Sequence, residues 1–115
     1  MDVTIYHNPR CSKSRQTLAL LEEKGIEPNV VPYLDRSPSA AELAAILKKL
    51  GKGPRDIMRK GEAVYKEKGL SNPNLSDDDL IAAMVADPIL IERPIVVSGS
   101  KAALGRPPES VLDIL

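Results

Sequence analysis

The spacing of apolar positions changes along this chain, and each change marks an element. Val3-Thr4-Ile5-Tyr6 is a β-rich run, so residues 2–6 predict a first strand. From Ser12 the spacing turns helical, with Leu18 and Leu21 repeating, and Gly25 is placed to stop that helix after Lys24 as a left-handed cap. Val30-Val31-Pro32-Tyr33 predicts a second strand. Pro32 cannot donate to a ladder, which assigns this strand to a sheet edge. Strand, helix and strand in so short a stretch imply a right-handed parallel βαβ unit.

The middle of the chain is helical. Ser39-Ala40-Ala41-Glu42 has the form of a capping box and opens a helix with Leu43, Ile46, Leu47 and Leu50 on one face, ended by Gly51 and Gly53. Two short helical pieces follow between Pro54 and Lys68, broken at Gly61. Ser76-Asp77-Asp78-Asp79 is a second start signal, because a Ser N-cap and acids in the first turn both suit a helix N-terminus. The acidic triplet therefore reads as helix chemistry rather than a metal site. That helix carries Leu80, Ile81 and Met84 and ends before Pro88.

The pattern then returns to strands. Ile95-Val96-Val97 and Ala102-Ala103-Leu104 flank Ser98-Gly99-Ser100-Lys101, a hairpin turn with Gly available for positive φ. Arg106-Pro107-Pro108-Glu109 opens a terminal helix with Val111, Leu112 and Leu115 apolar. The order βαβ, helical block, ββα predicts an α/β fold of thioredoxin-like type. Its mixed four-stranded sheet and helical insertion at about 39–87 would form one domain over 1–115.

Composition narrows the function classes. The chain of 115 residues is 43 % hydrophobic and 28 % charged, with three Tyr and no Trp or Phe. Base stacking needs exposed rings, so nucleic-acid binding of that kind is not expected. The net charge is zero and the pI is near 6.6, which leaves no global basic field for DNA or anionic lipid. No apolar stretch approaches the ~20 residues of a membrane span, and the start lacks the regions of a signal peptide. One cysteine cannot form an internal disulfide. The expected compartment is the cytoplasm, where thiols stay reduced.

That cysteine, Cys11, sits in His7-Asn8-Pro9-Arg10-Cys11-Ser12-Lys13-Ser14-Arg15, where the first strand gives way to the first helix. A thiol at a helix N-terminus faces unpaired backbone N–H groups and the positive end of the macrodipole. That placement is worth up to about 2 kcal/mol to an anion, and Arg10, Lys13 and Arg15 add cations nearby. A free thiol is only about 3 % ionised at pH 7. These surroundings favour the thiolate, which is the nucleophile.

The spacing excludes two thiol chemistries. Cys11 and Ser14 make C-x-x-S, so the second thiol of a dithiol oxidoreductase is missing. A phosphatase loop needs an arginine six residues beyond its cysteine, and Thr17 stands there. Redox work at Cys11 requires a thiol from another molecule. Arg93 and Arg106 bracket one predicted hairpin, which brings their backbones close. Two planar guanidiniums converging on a thiolate would make an oxyanion receptor. Arg59, in Ile57-Met58-Arg59-Lys60, is a further isolated arginine. His7 could tune Cys11 or serve as a structural hydrogen-bonder. Ser14 could donate to the thiolate or bond a backbone carbonyl.

Three blocks carry a resemblance: Tyr6-His7-Asn8-Pro9-x-Cys11-x-x-Ser14-Arg15, Pro88-Ile89-Leu90-Ile91-x-Arg93-Pro94-Ile95-Val96-Val97, and Gly105-Arg106-Pro107-x-Glu109-x-Val111-Leu112-x-Ile114-Leu115. Together, collinear and spanning nearly the whole chain, they resemble the glutaredoxin-linked arsenate reductase family. The resemblance implies that Cys11 attacks arsenate while Arg59, Arg93 and Arg106 hold the oxyanion, with sulfate or phosphate as mimics. It implies that His7, Asn8 and Ser14 support the thiolate and that Pro94 is cis. It further implies glutathione as co-substrate, glutaredoxin as the resolving partner, no bound cofactor, and a place in arsenical resistance. Two alternatives carry different chemistry: a glutathione-linked thiol oxidoreductase, for which C-x-x-S suffices, and a redox-regulatory binding protein of the Spx type.

Overall fold

The computed structural model describes residues 2–115 as two compact units, one running to Arg36 and resuming at Arg93, the other spanning Ser37–Glu92. The first unit holds the sheet. Its elements are β1 (Val3–Tyr6), α1 (Ser12–Glu23), β2 (Asn29–Val31), β3 (Ile95–Ser98) and β4 (Lys101–Leu104), followed by a 3₁₀ segment at Pro108–Ile114. The sheet order is β2-β1-β3-β4. β1 pairs parallel with β2, Ile5 opposite Val30, and antiparallel with β3, Ile5 opposite Val96. β3 and β4 form the hairpin, with Val96 opposite Ala103. This mixed four-stranded sheet is the thioredoxin-like α/β arrangement that the apolar spacing predicts.

One face of that sheet makes the core. Val3, Ile5 and Val96 pack with Leu21 of α1 and Val111 of the 3₁₀ segment, and Leu18, Leu20, Ile26, Ala103 and Ile114 close over them. The end of α1 is a Schellman motif: the Ile26 N–H bonds the Leu21 carbonyl at 3.0 Å and the Gly25 N–H bonds Glu22 at 3.0 Å. Gly25 sits at φ 77°, a conformation costly for a residue with a Cβ.

Two expectations change here. Strand β2 stops at Val31 rather than Tyr33, because the Pro32 carbonyl accepts the Asp35 and Arg36 N–H groups, both at 2.9 Å, and turns the chain. The strand does lie at the sheet edge. The terminal helix is 3₁₀ rather than α, with the Ser110 N–H bonded to the Pro107 carbonyl at 3.0 Å. Val111 and Ile114, three residues apart, then share the face that meets the core, as a threefold repeat requires. Leu115, expected on the apolar face, is exposed.

The second unit is helical. It contains α2 (Ala40–Leu50), α3 (Ala63–Glu67) and α4 (Asp77–Ala86), with 3₁₀ turns at Pro54–Ile57 and Pro88–Leu90. Ser39 caps α2 by accepting the Glu42 N–H, and Ser76 and Asp79 form a reciprocal capping box on α4. Asp79 thus serves the helix start. α2 and α4 contribute the buried Leu43, Ile46, Leu47, Leu80, Ile81 and Met84. Met58 and Ile91 meet in an isolated antiparallel bridge, which brings Arg59 and Glu92 alongside each other. Among the described residues, no helix is long and apolar enough to cross a membrane.

Candidate active site

The loop from β1 to α1 presents Cys11 at the N-cap of α1, its backbone extended at φ −94° and ψ 123°. The loop is fixed from inside. The Cys11 N–H bonds the Asn8 carbonyl at 3.0 Å, and Asn8 Oδ1 accepts the Arg10 N–H at 3.0 Å. The Asn8 N–H donates to Ser14 Oγ at 3.0 Å, and the same hydroxyl lies 2.6 Å from His7 Nδ1. His7, Asn8 and Ser14 are all buried. Burial, with a further contribution from the Arg15 charge, holds His7 below its ordinary pKa, so the ring is neutral near pH 7. A neutral ring leaves Nδ1 able to accept the Ser14 hydroxyl proton. Ser14 therefore ties the strand end to the first turn of the helix, a third option beside the two read from its sequence position.

Cys11 is a half-buried free thiol. Desolvation by itself pushes its pKa up, yet the net direction is down. The backbone N–H of Ser14, a hydrogen bond from the Arg93 side chain, the backbone N–H of Lys13 and the charge of Arg93 together outweigh burial. Arg106 adds Nη2 at 3.6 Å from Sγ, and its Nε donates to the Arg93 carbonyl at 2.8 Å. The hairpin between them, β3 to β4, thus delivers both guanidiniums to one sulfur. Arg93-Pro94 and Arg106-Pro107 are both cis. The first was implied by resemblance; nothing in the sequence reading pointed to the second.

The cations that act on the thiol are remote in sequence. Arg10 and Arg15, which crowd Cys11 along the chain, are not the ones that bond it. Arg15 Nη1 donates to the Pro9 carbonyl at 2.9 Å, and Lys13 contributes through its backbone N–H. Arg10 precedes the helix and the Arg15 guanidinium is held at Pro9, whereas the two ends of the hairpin aim at the sulfur.

Arg59 lies in the second unit. Its Nε donates to Glu62 Oε2 at 3.1 Å and its Nη1 to Glu92 Oε1 at 2.8 Å. Burial alone would lower the guanidinium's pKa, but the two carboxylates reverse that and raise it. Neither glutamate stood out in the sequence. The signal was available for Glu62, three residues from Arg59 in a turn, but not for Glu92, which only the Met58–Ile91 bridge brings there.

Gly105 fills a tight place in the first unit. A Cβ on it would stand 2.5 Å from Thr17 Oγ1 and 2.6 Å from Pro94 Cγ. Thr17 Oγ1 is itself committed to the Lys13 carbonyl at 2.8 Å. Bare backbone at 105 lets the residue before Arg106 pass against α1 and Pro94. No cluster of three His, Cys, Asp or Glu side chains suited to a metal occurs among the described residues.

What this arrangement can do follows from its parts. A thiol held toward its ionised form sits under two helix-start N–H groups, with two planar cations beside it, a constellation suited to attracting a tetrahedral oxyanion. The chain is similar to known proteins over nearly its whole length. Residues 6–114 match the model of the ArsC family. An arsenate reductase of Haemophilus influenzae is 53 % identical over 116 residues, covering 100 % of both chains. The uncharacterized protein YfgD of Escherichia coli is 56 % identical over 98 % of this chain and 96 % of its own. The solved structure of an arsenate reductase from Vibrio cholerae superposes with a TM-score of 0.97 at 57 % identity, covering 100 % of this chain and 98 % of that one.

Proposed function

The chain belongs to the ArsC family, and from that premise we propose that it is an arsenate reductase whose Cys11 thiolate attacks the arsenic of the oxyanion. The observation that carries this reading is the convergence of Arg93 and Arg106 on Cys11 Sγ at the start of α1. Arsenate, a phosphate analogue, carries about −1.5 to −2 charge near pH 7. A thiolate approaches such an anion only where fixed cations offset both charges. Arginine does so without risk of losing its own proton.

The sulfur of Cys11 forms a bond to arsenic as an As–O bond breaks and the oxygen leaves as water. Arg93 and Arg106 hold the remaining oxygens. His7, Asn8 and Ser14 keep the loop in the shape that aims the sulfur. Glutathione then attacks the Cys11 sulfur, forming a mixed disulfide, and the S–As electron pair stays on arsenic. Arsenic(V) becomes arsenic(III) and departs as arsenite. A glutaredoxin thiol removes the glutathione and restores Cys11. Thiols carry both electrons, so this scheme needs no resident cofactor, and it suits the reducing cytoplasm.

Purified protein assayed with arsenate, glutathione and glutaredoxin tests the reading. Steady arsenite release is expected, abolished in Cys11→Ser while the circular-dichroism melt stays intact. Mass spectrometry should trap an arsenic adduct and a glutathione adduct on Cys11. Turnover sustained by thioredoxin without glutathione would overturn the electron route. Rapid deglutathionylation of protein substrates with no arsenate turnover would move the function to a thiol oxidoreductase.

A further inference from the structure

We propose that a cleft beside the Cys11 loop binds glutathione, with Arg10 holding its glycyl carboxylate and Asp35 its ammonium group. This deepens the reading above and rests on glutathione being the co-substrate. The cleft lies wholly within the sheet unit and encloses about 340 Å³, inside the range of about 300–1,000 Å³ for small-molecule sites. Its lining comes from two segments, Asn8-Pro9-Arg10 with His7 before it, and Pro32 with Leu34 and Asp35. The segments are joined where the strands end, the His7 N–H bonding the Val31 carbonyl at 2.9 Å. Each is also fixed from within. The Asn8 side chain accepts the Arg10 N–H at 3.0 Å, and the Pro32 carbonyl accepts the Asp35 N–H at 2.9 Å.

Two charges give the cleft its selectivity. Arg10 and Asp35 are exposed, and neither side chain has an ion-pair or hydrogen-bond partner among the described residues. Opposite charges that line one cleft without neutralising each other suit a ligand that carries both signs. Glutathione is such a ligand, with two carboxylates, one ammonium and a thiol on the residue between its ends. The other cations close by in sequence do not take part. Arg15 donates to the Pro9 carbonyl at 2.9 Å, and neither Lys13 nor Arg36 lines the cleft. Pro9, Pro32 and Leu34 offer apolar surface to the methylenes of the γ-glutamyl arm, and Leu34 is 37 % exposed. The segment that holds the glycyl end runs directly into Cys11, whose N–H bonds the Asn8 carbonyl at 3.0 Å. One loop thus both lines the cleft and carries the sulfur that the glutathione thiol attacks.

S-methylglutathione, which cannot react, measures binding apart from turnover, titrated into the full chain and followed by amide NMR shifts. Arg10→Gln and Asp35→Asn should each weaken it by about two- to fivefold, the range of an exposed ion pair. The direction is diagnostic. The ligand is a net anion, so bulk charge alone would make Arg10→Gln weaken it and Asp35→Asn tighten it. A grip on both ends makes both variants weaken it. The glycyl ethyl ester of S-methylglutathione lacks one carboxylate, so its affinity should be equal in wild type and Arg10→Gln yet reduced in Asp35→Asn. In turnover the glutathione KM should rise in both variants while kcat holds. Iodoacetamide rates at Cys11 and thermal melts correct each variant for altered thiolate or folding. No binding to wild type, equal affinity in all three proteins, or tighter binding in Asp35→Asn would overturn the cleft and leave the arsenate reading in place. Binding weakened in both variants, with no glutathione-driven arsenate turnover, would support the cleft and overturn the electron route.

Discussion

Replacing Arg106 with Met removes one charge from beside Cys11 while preserving most of the side-chain volume. Arg106 Nη2 stands 3.6 Å from Cys11 Sγ. At that separation Coulomb's law gives about 1.2 kcal/mol at a dielectric of about 80 and about 4.6 kcal/mol at about 20. Arg106 is exposed and Cys11 half-buried, so the smaller figure governs. About 1.2 kcal/mol corresponds to roughly sevenfold less thiolate at any pH below the midpoint of the thiol. Iodoacetamide reacts with thiolate alone, so its rate at about pH 6 should drop by that factor. The gap should narrow as salt is raised, because an exposed pair is screened. Arg106→Lys keeps the charge and should retain most of the alkylation rate, yet lose arsenate turnover sharply because the two-pronged grip is gone. The Nε bond to the Arg93 carbonyl is lost in both variants, and a thermal melt measures that cost, about 1 kcal/mol, apart from the chemistry. Alkylation of Arg106→Met indistinguishable from wild type at low salt would refute the reasoning.

Three further outcomes follow from neighbouring contacts. Ser14→Ala strands the buried Asn8 N–H and the His7 ring and should cost about 1–3 kcal/mol in chemical denaturation; a loss near zero would mean the hydroxyl does not tie the loop. His7 is held below its ordinary pKa, so its linked stability is full above about pH 6.5 and is lost as pH falls through the lowered folded value. Denaturation midpoints between about pH 5 and 7.5 should therefore decline on the acid side in wild type and less so in His7→Gln, equal declines removing His7 as the cause. Gly105→Ala drives a Cβ against Thr17 and Pro94 and should lower the melting temperature by several degrees, an overpacking cost of about 1–3 kcal/mol. An unchanged melt would mean the hairpin end shifts freely.

The elements, the sheet class and the place of Cys11 at a helix start were legible in the chain because each depends on local physics. The spacing of Leu18 and Leu21, the Gly25 cap, the Ser39 and Ser76 starts and the Gly99 turn act within a few residues, and the structure places helices and strands accordingly. The hairpin also brought Arg93 and Arg106 within reach of inference, since its two ends must meet.

Other features depend on contacts the chain order does not display. Pro32 left the strand because its carbonyl found turn partners, and the last segment tightened to 3₁₀ because Val111 and Ile114 share one core. Which cations serve Cys11 was decided in three dimensions. Arg10 and Arg15 are its neighbours in sequence, but Arg10 lies before the helix and Arg15 turns to the Pro9 carbonyl, while Arg93 and Arg106 arrive from some eighty or more residues away. The burial of Ser14 and Thr17 on α1, and the partnership of Arg59 with Glu92 thirty-three residues on, likewise appear only once packing has chosen which faces meet. Local propensity sets where elements begin and end; long-range packing sets which charged groups share a space, and that second choice governs the chemistry of this thiol.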